Sequence, residues 1–374
     1  VVMDSAGNAI AFNALSPGAI WSNYIRYIGA GAVAAGGILS LVKSLPVMIK
    51  TFVKAMKGFG KNAESGSRTE VNISTKTVLI GVIAVAVVMW PLPEIPISLS
   101  GALIVVVFGF FFASVSSRMV GLVGSSNNPV SGMTIATLLF ATVILKATGT
   151  TGITGMVGAI SIGGIICIIA AIAGDASQDL KTGFIVGATP KKQQIGEIIG
   201  VIASSAAIGF VLYLLNEAWG YGTEKIPAAQ ATMMKMLVEG IMNGELPWAL
   251  IFIGVFIAIV VEILHMPVMP FAVGMYLPFS LSAGIMAGGV VRILVEKRKG
   301  TEKEKKARTD RGLLFTSGMI AGEGIVGILL AVFAVFKIDS KIVLPFQLPQ
   351  IGSLILFIAL LALLYRVCMK ADKE

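Results

Sequence analysis

Charge is what this sequence has least of. Only 13% of its 374 residues are Asp, Glu, Lys or Arg, whereas 56% are hydrophobic and the mean hydropathy is +0.90. Soluble domains carry about 25% charged residues, so a water-soluble globule is excluded. Histidine occurs once and cysteine twice. A single histidine excludes a His-rich metal site and a bis-His haem, and no cofactor is expected. Cys167 and Cys368 fall in or at the end of apolar runs, the setting of inert buried thiols rather than of a disulfide framework. Alternating polarity is missing too. A membrane β-barrel would show it in segments of about ten residues. Here the apolar residues come in blocks, at 78–90, 99–114, 195–215, 250–263, 313–336 and 351–364. A helix needs roughly 20 apolar residues to cross the hydrocarbon core and satisfies its backbone polar groups internally. The expected fold is therefore an all-α, polytopic membrane protein, a single transmembrane domain over residues 1–374 with the lipid bilayer as its surroundings.

Glycine is abundant, with 43 residues, which suits closely packed or broken membrane helices. The net charge of +9 does not call for nucleic acid, because Lys and Arg accumulate on cytoplasmic loops. Two basic stretches, 58–76 and 296–311, read as such loops. The chain opens on Val1 with a polar stretch, as a fragment or a processed chain would.

About ten apolar segments follow one another: 20–45, ending at Pro46, then 77–90, 97–117, 132–146, 153–173, 195–215, 248–264, 266–294, 313–336 and 351–367. Residues 216–245, with Glu217, Glu224, Glu239 and Glu245, read as an outer loop. Counting single passes from Lys76 puts the basic stretch 296–311 outside, against the positive-inside rule. The conflict goes away if 266–294 is a hairpin or re-entrant pair. Pro267, Pro270, Pro278, Gly274, Gly284, Gly288 and Gly289 would break a continuous helix there. Broken backbone at membrane depth is tolerated where it is buried in protein or lines a cavity, which points to a substrate pathway.

Three places can carry chemistry. The first is the polar interruption Gly121 to Thr134, containing Gly124, Ser125, Ser126, Asn127, Asn128, Pro129, Ser131 and Gly132. Its amides, hydroxyls and freed backbone groups can hold a peptide bond or carboxylate without burying a charge, and a half-helix N-terminus turns its positive end to an anion. Ser131 and Thr134 can cap the following helix. An ordinary cytoplasmic loop is the plainer reading. The second is Gly174 to Gly183, where Asp175 and Asp179, four apart, lie with Gln178 and Lys181. It reads equally as a polar cluster at the membrane face or a salt-bridged turn. The third is the set of ionisable residues inside apolar runs. Glu262 and His265 are three apart on one helical face, a proton-carrying pair or a pair at the water interface. Glu323 lies between Gly322 and Gly324, which would let a neighbouring helix approach and desolvate it. Desolvation favours the neutral, protonated carboxyl, and that suits a proton carrier.

The segments Gly124 to Thr134 and Gly174 to Gly183, the latter followed by Val186-Gly187-Ala188-Thr189-Pro190, resemble signature segments of the oligopeptide transporter family. Ser22 to Gly31 and Pro267 to Pro278 agree with them. The likeness is closest to the prokaryotic branch, which is similar to the yellow-stripe-like metal-chelate transporters. The resemblance implies a secondary, proton-coupled transporter of small peptides or metal–chelate complexes in the cell (inner) membrane, whose partners are substrate and protons; a homo-oligomer stays open. On that basis Ser125, Ser126, Asn127, Asn128, Ser131, Thr134 and Tyr276 are candidate substrate contacts. Glu323, Glu262 and His265 are candidates for proton coupling. Family members are about twice this long, so this chain is expected to be the C-terminal part. No enzymatic activity is expected: Gly-x-Ser-Gly and His-Glu-x-x-His are absent, and 121–132 holds no P-loop lysine. An intramembrane serine protease built from Ser131 and His265, or a passive channel, is the alternative.

Overall fold

A computed structural model describes residues 2–3, 9–10, 15–58, 67–90, 96–97, 99–123, 128, 130–223, 225–244, 247–338 and 350–370. Beyond a two-residue antiparallel pair, β1 (Val2–Met3) and β2 (Ala9–Ile10), the described chain is helical. Its helices are α1 (Pro17–Ile20), α2 (Arg26–Gly58), α3 (Thr75–Met89), α4 (Leu99–Val123), α5 (Val130–Ala147), α6 (Gly152–Val186) and α7 (Pro190–Trp219). They continue with α8 (Ala229–Asn243), α9 (Trp248–Ile263), α10 (Val268–Tyr276), α11 (Phe279–Glu296), α12 (Glu302–Val335) and α13 (Gln350–Met369). Eight helical segments among the described residues are long and apolar enough to cross a membrane.

Several boundaries differ from the sequence expectation. α2 runs through Pro46 to Gly58 instead of ending there. One missing hydrogen bond is tolerated in a membrane helix when neighbours compensate, and Met48, just past the proline, is fully buried. The stretch 216–245 is not all loop, since α8 forms within it and buries Met233, Met236, Leu237, Val238 and Met242. The polar residues 174–183 continue α6 as helix rather than forming a turn; α6 stops at Gly187, whose φ of 73° is the left-handed conformation of a helix C-cap. The segment 266–294 is broken as expected. α10 has only nine residues, and the chain interrupts at Leu277 and Pro278 before α11.

Two compact units emerge: residues 1–204 with 229–276, and 205–228 with 277–374. In the first, apolar side chains of α2, α5, α8, α9 and α10 form one core around Val33, Ile135, Met233 and Ala272. A second core joins α4, α5, α6 and α8 around Leu138, Leu145 and Ile162, and a third gathers Met48, Phe112, Met133 and Ile166. α2 and α9 touch backbone to backbone. A Cβ on Gly254 would collide with the Ile28 carbonyl, and one on Gly31 with that of Ile251. Small residues at such crossings are what let membrane helices approach closely. In the second unit α11, α12 and α13 pack on one another, and Gly312 of α12 leaves room for the Cys368 thiol of α13.

Candidate functional site

Asn128, in the polar interruption between α4 and α5, sits on the seam of α4 and α6. Ser125, Ser126 and Asn127 lie outside the described residues, so Asn128 is the observable core of the interruption. Ser116 of α4 is completely buried, and its hydroxyl donates to the Ala170 carbonyl of α6. The Asn128 amide nitrogen donates to Ser116 Oγ at 2.6 Å and points at the Ala170 carbonyl at 3.5 Å. This fixes the orientation of the amide, because the flipped form would set Asn128 Oδ1 against a carbonyl oxygen. One turn on, Ser177 of α6 donates to the Ser117 carbonyl of α4. Ala170, Gly174 and Ser177 are spaced by four and three, one face of α6. Gly174 is required there: a Cβ would lie 2.9 Å from Val120 Cγ2 and 3.1 Å from the Asn128 amide nitrogen.

The consequence is an unmatched acceptor. Asn128 Oδ1 is buried and has no hydrogen-bond partner among the described residues. Leaving a buried acceptor unpaired costs about 1–3 kcal/mol, so an N–H or O–H donor brought there is favoured. The amide is held at its other end by the Ser116 hydroxyl. The arrangement is a fixed neutral acceptor suited to an amide N–H or an ammonium group. Ser131, in the first turn of α5, is exposed, while Thr134 is buried and its hydroxyl donates back to the Val130 carbonyl. Neither acts as the helix cap read from the sequence, because α5 already begins at Val130. Gly132 brings α5 against α2, where a Cβ would lie 2.9 Å from the Gly37 carbonyl oxygen.

The remaining candidates are not gathered here. Tyr276 is buried at the end of α10, and its hydroxyl donates to the Ala229 carbonyl at 2.9 Å, tying α10 to the start of α8. Asp175, Gln178, Asp179 and Lys181 are exposed on α6. The Gln193 amide of α7 donates to Asp179 Oδ2 at 2.9 Å, and Glu197 bonds the same carboxyl. Lys181 lies over the Phe184 ring, 5.4 Å from its centre, and makes no ion pair with either aspartate. Beside this cluster Arg68 donates to Thr189 Oγ1 and the Gly187 carbonyl, at 2.7 and 2.8 Å. Glu262 and His265 do not share a helical face. α9 ends at Ile263, and His265 follows in the left-handed region with φ 58°. Glu262 pairs with Lys43 of α2, while His265 Nδ1 lies 2.8 Å from the Ile263 carbonyl. Glu323 is exposed on α12, and nothing lies within 4 Å of a Cβ placed on Gly322 or Gly324, so the close helix read from the sequence is not found among the described residues.

Sequence reasoning missed Ser116, the hub of the seam, and Glu197. Both carry a legible signal, a polar residue set in an apolar run, but their partners lie 54 and 18 residues away. A hollow of about 480 Å³ lined by Ile253, Phe256, Val260, Leu264 and Phe271 is wholly apolar and offers nothing to orient a zwitterion.

The profile of a family described as OPT oligopeptide transporter protein matches residues 8–334. The chain is 30% identical to a Haemophilus influenzae protein named as an oligopeptide transporter, over 83% of this chain and 57% of that one. It is 25% identical to an Arabidopsis thaliana protein named as a metal-nicotianamine transporter, over 49% of this chain and 28% of that one. A Saccharomyces cerevisiae protein named as an oligopeptide transporter is 27% identical over 55% of this chain and 30% of its own. The chain thus spans little more than half the length of the Haemophilus relative. No solved structure matches significantly.

Proposed function

Because the chain belongs to the OPT oligopeptide transporter family, we propose that it carries substrate-contacting elements of a secondary active, proton-coupled transporter of small peptides or metal–chelate complexes in the cell (inner) membrane. The observation that carries this reading is the buried Oδ1 of Asn128, unpaired among the described residues, on an amide whose nitrogen donates to Ser116 and Ala170. Peptides and amino-acid-derived chelates present the same donors, amide N–H and ammonium. A fixed amide oxygen takes either without a buried charge on the protein. The metal, where there is one, travels as cargo inside its chelate. Relatives named for each substrate class support keeping both.

Proton coupling needs a group that exchanges a proton within the membrane, a carboxyl or an imidazole. Glu323 is the only charged residue between Arg311 and Lys337 on an apolar helix. Lipid is an unfavourable neighbour for it, so it is either met by protein or water or carried neutral. The basic stretches 58–76 and 296–311 are cytoplasmic in this reading. No hydrogen bond joins Ser131 to His265 among the described residues, which removes the basis for a serine–histidine dyad.

The test is a ligand screen by thermal shift, since a ligand of the folded state raises apparent stability. Di- to pentapeptides and metal–nicotianamine chelates are compared on wild type and Asn128→Leu. At least one class should stabilise the wild type, with affinity about 10–100-fold weaker in the variant at unchanged membrane insertion. Equal stabilisation of both proteins would return the interruption to an ordinary loop.

A further inference from the structure

The second unit ends in a concentration of cations with few counter-charges. α12 has 34 residues. At 1.5 Å per residue it is about 51 Å long, against a hydrocarbon core of about 30 Å, so its charged first turns stand outside the core. Residues 302–311 hold Lys303, Lys305, Lys306, Arg308 and Arg311, and the apolar run starts at Gly312. The connection from α11 adds Lys297, Arg298 and Lys299, and the end of α13 adds Arg366 and Lys370.

Side-chain contacts pin these pieces to one place. Arg298 Nε donates to the Tyr365 hydroxyl of α13 at 2.9 Å, and Arg308 donates to the Lys299 carbonyl at 3.1 Å. The close approach of Gly312 to Cys368 holds the same ends of α12 and α13 together. Three of the four nearby acids are already engaged: Glu302 pairs with Lys305, Glu296 with Arg292, and Glu304 accepts the Thr301 N–H in a capping box, while Asp310 is exposed on α12. Lys297, Arg298, Lys299, Lys303 and Lys306 form no ion pair among the described residues.

Height selects the partner. Tyr365 lies in the last turns of an apolar helix, where tyrosines sit at the level of lipid headgroups. Arg298 is bonded to it, and the cations of α12 begin where its apolar run stops. Phosphates of a bilayer lie at that depth, and a guanidinium pairs with a phosphate in a matched fork. We propose that the 297–301 connection, with the first turns of α12 and the end of α13, binds the headgroup of an anionic phospholipid through Arg298, Lys299 and Lys303. This binding is independent of the transport reading and of which side of the membrane this end occupies.

The test titrates the purified chain in detergent with phosphatidylglycerol or phosphatidylcholine and reads retained lipid by native mass spectrometry. Wild type should retain phosphatidylglycerol in preference. Each cation near a membrane surface contributes about five-fold to affinity, so R298Q/K299Q/K303Q should weaken retention roughly 100-fold. K299R/K303R should retain it, as should K191Q/K192Q at the exposed start of α7, which controls for total charge. Three results overturn the proposal: equal retention by the triple variant, equal retention of phosphatidylcholine, or displacement of phosphatidylglycerol by equimolar inorganic phosphate. The last would make a free anion the ligand.

Discussion

Helices α5 and α12 are both apolar enough to span a bilayer, yet they use that character in opposite ways. α5 buries nine of its 18 residues, and α12 buries two of 34. α7 resembles α12, with Leu214 alone buried among 30 residues. Hydropathy reports only that a helix leaves water; it does not tell protein from lipid as the destination. The glycines do separate the two. Hydroxyl residues do not: Thr134, Thr137 and Thr142 of buried α5 return their hydroxyls to a carbonyl four residues back, at 2.6–2.8 Å, and so do Thr316 and the exposed Ser317 of α12, at 2.9 and 2.8 Å. In α12, a methyl group added to Gly318, Gly322 or Gly324 would meet nothing within 4 Å, whereas Gly254 and Gly31 in the first unit sit against backbone.

The largest effect should come from testing glycine against glycine. Gly254→Leu drives a side chain into the α2 backbone and should cost about 3 kcal/mol or more. Gly322→Leu fills open space and should stay within about 0.5 kcal/mol. Thermal unfolding of the two purified variants reads this directly; equal losses would erase the contrast between the helices. Gly174→Ala is the sharper, smaller version. Its methyl group meets Val120 and the Asn128 amide, so a loss of roughly 1–3 kcal/mol is expected. Because it also displaces Asn128, the ligand-dependent thermal shift should fall with it, as in Asn128→Leu. A destabilised Gly174→Ala that binds ligand normally would detach the site from the α4–α6 seam. The smallest effect belongs to Glu262→Gln. Its ion pair with Lys43 is partly exposed on both sides, 62% and 31%, so at most about 1 kcal/mol is expected in thermal unfolding. A larger loss would mean that the pair acts as a buried lock between α2 and α9.

The spans were legible in the sequence because they depend on a property each residue carries alone. The break near Pro278 was legible as well, through the collision of prolines and glycines with the charge rule. α8 was not. It is short and amphipathic, showing Lys235 and Glu239 outward four apart while burying methionines and Leu237, so it reads as polar loop on average. The start of α12 was hidden in a charged run, although the Thr301–Glu304 spacing is a capping-box signature. The candidate site was legible only in part. Asn128 stood out as an amide in a glycine-framed break, but Ser116, Ala170 and Gly174 join it through packing between helices distant in the chain. Periodicity carries no record of such partners. Glu262 shows the same limit from the other side: its sequence neighbour His265 suggested a pair, and its real partner lies 219 residues away.

The most direct test follows substrate in proteoliposomes under an imposed pH gradient, with exchange and accumulation measured on wild type, Asn128→Leu and Glu323→Gln. Asn128→Leu should lose both together, because binding itself fails. Glu323→Gln keeps the size of the side chain and a neutral hydrogen-bonding head but cannot exchange a proton, so it should exchange substrate normally and lose accumulation. Accumulation by Glu323→Gln at the wild-type level with the same pH dependence, or normal exchange by Asn128→Leu, would contradict the division of substrate binding and proton coupling between these two residues.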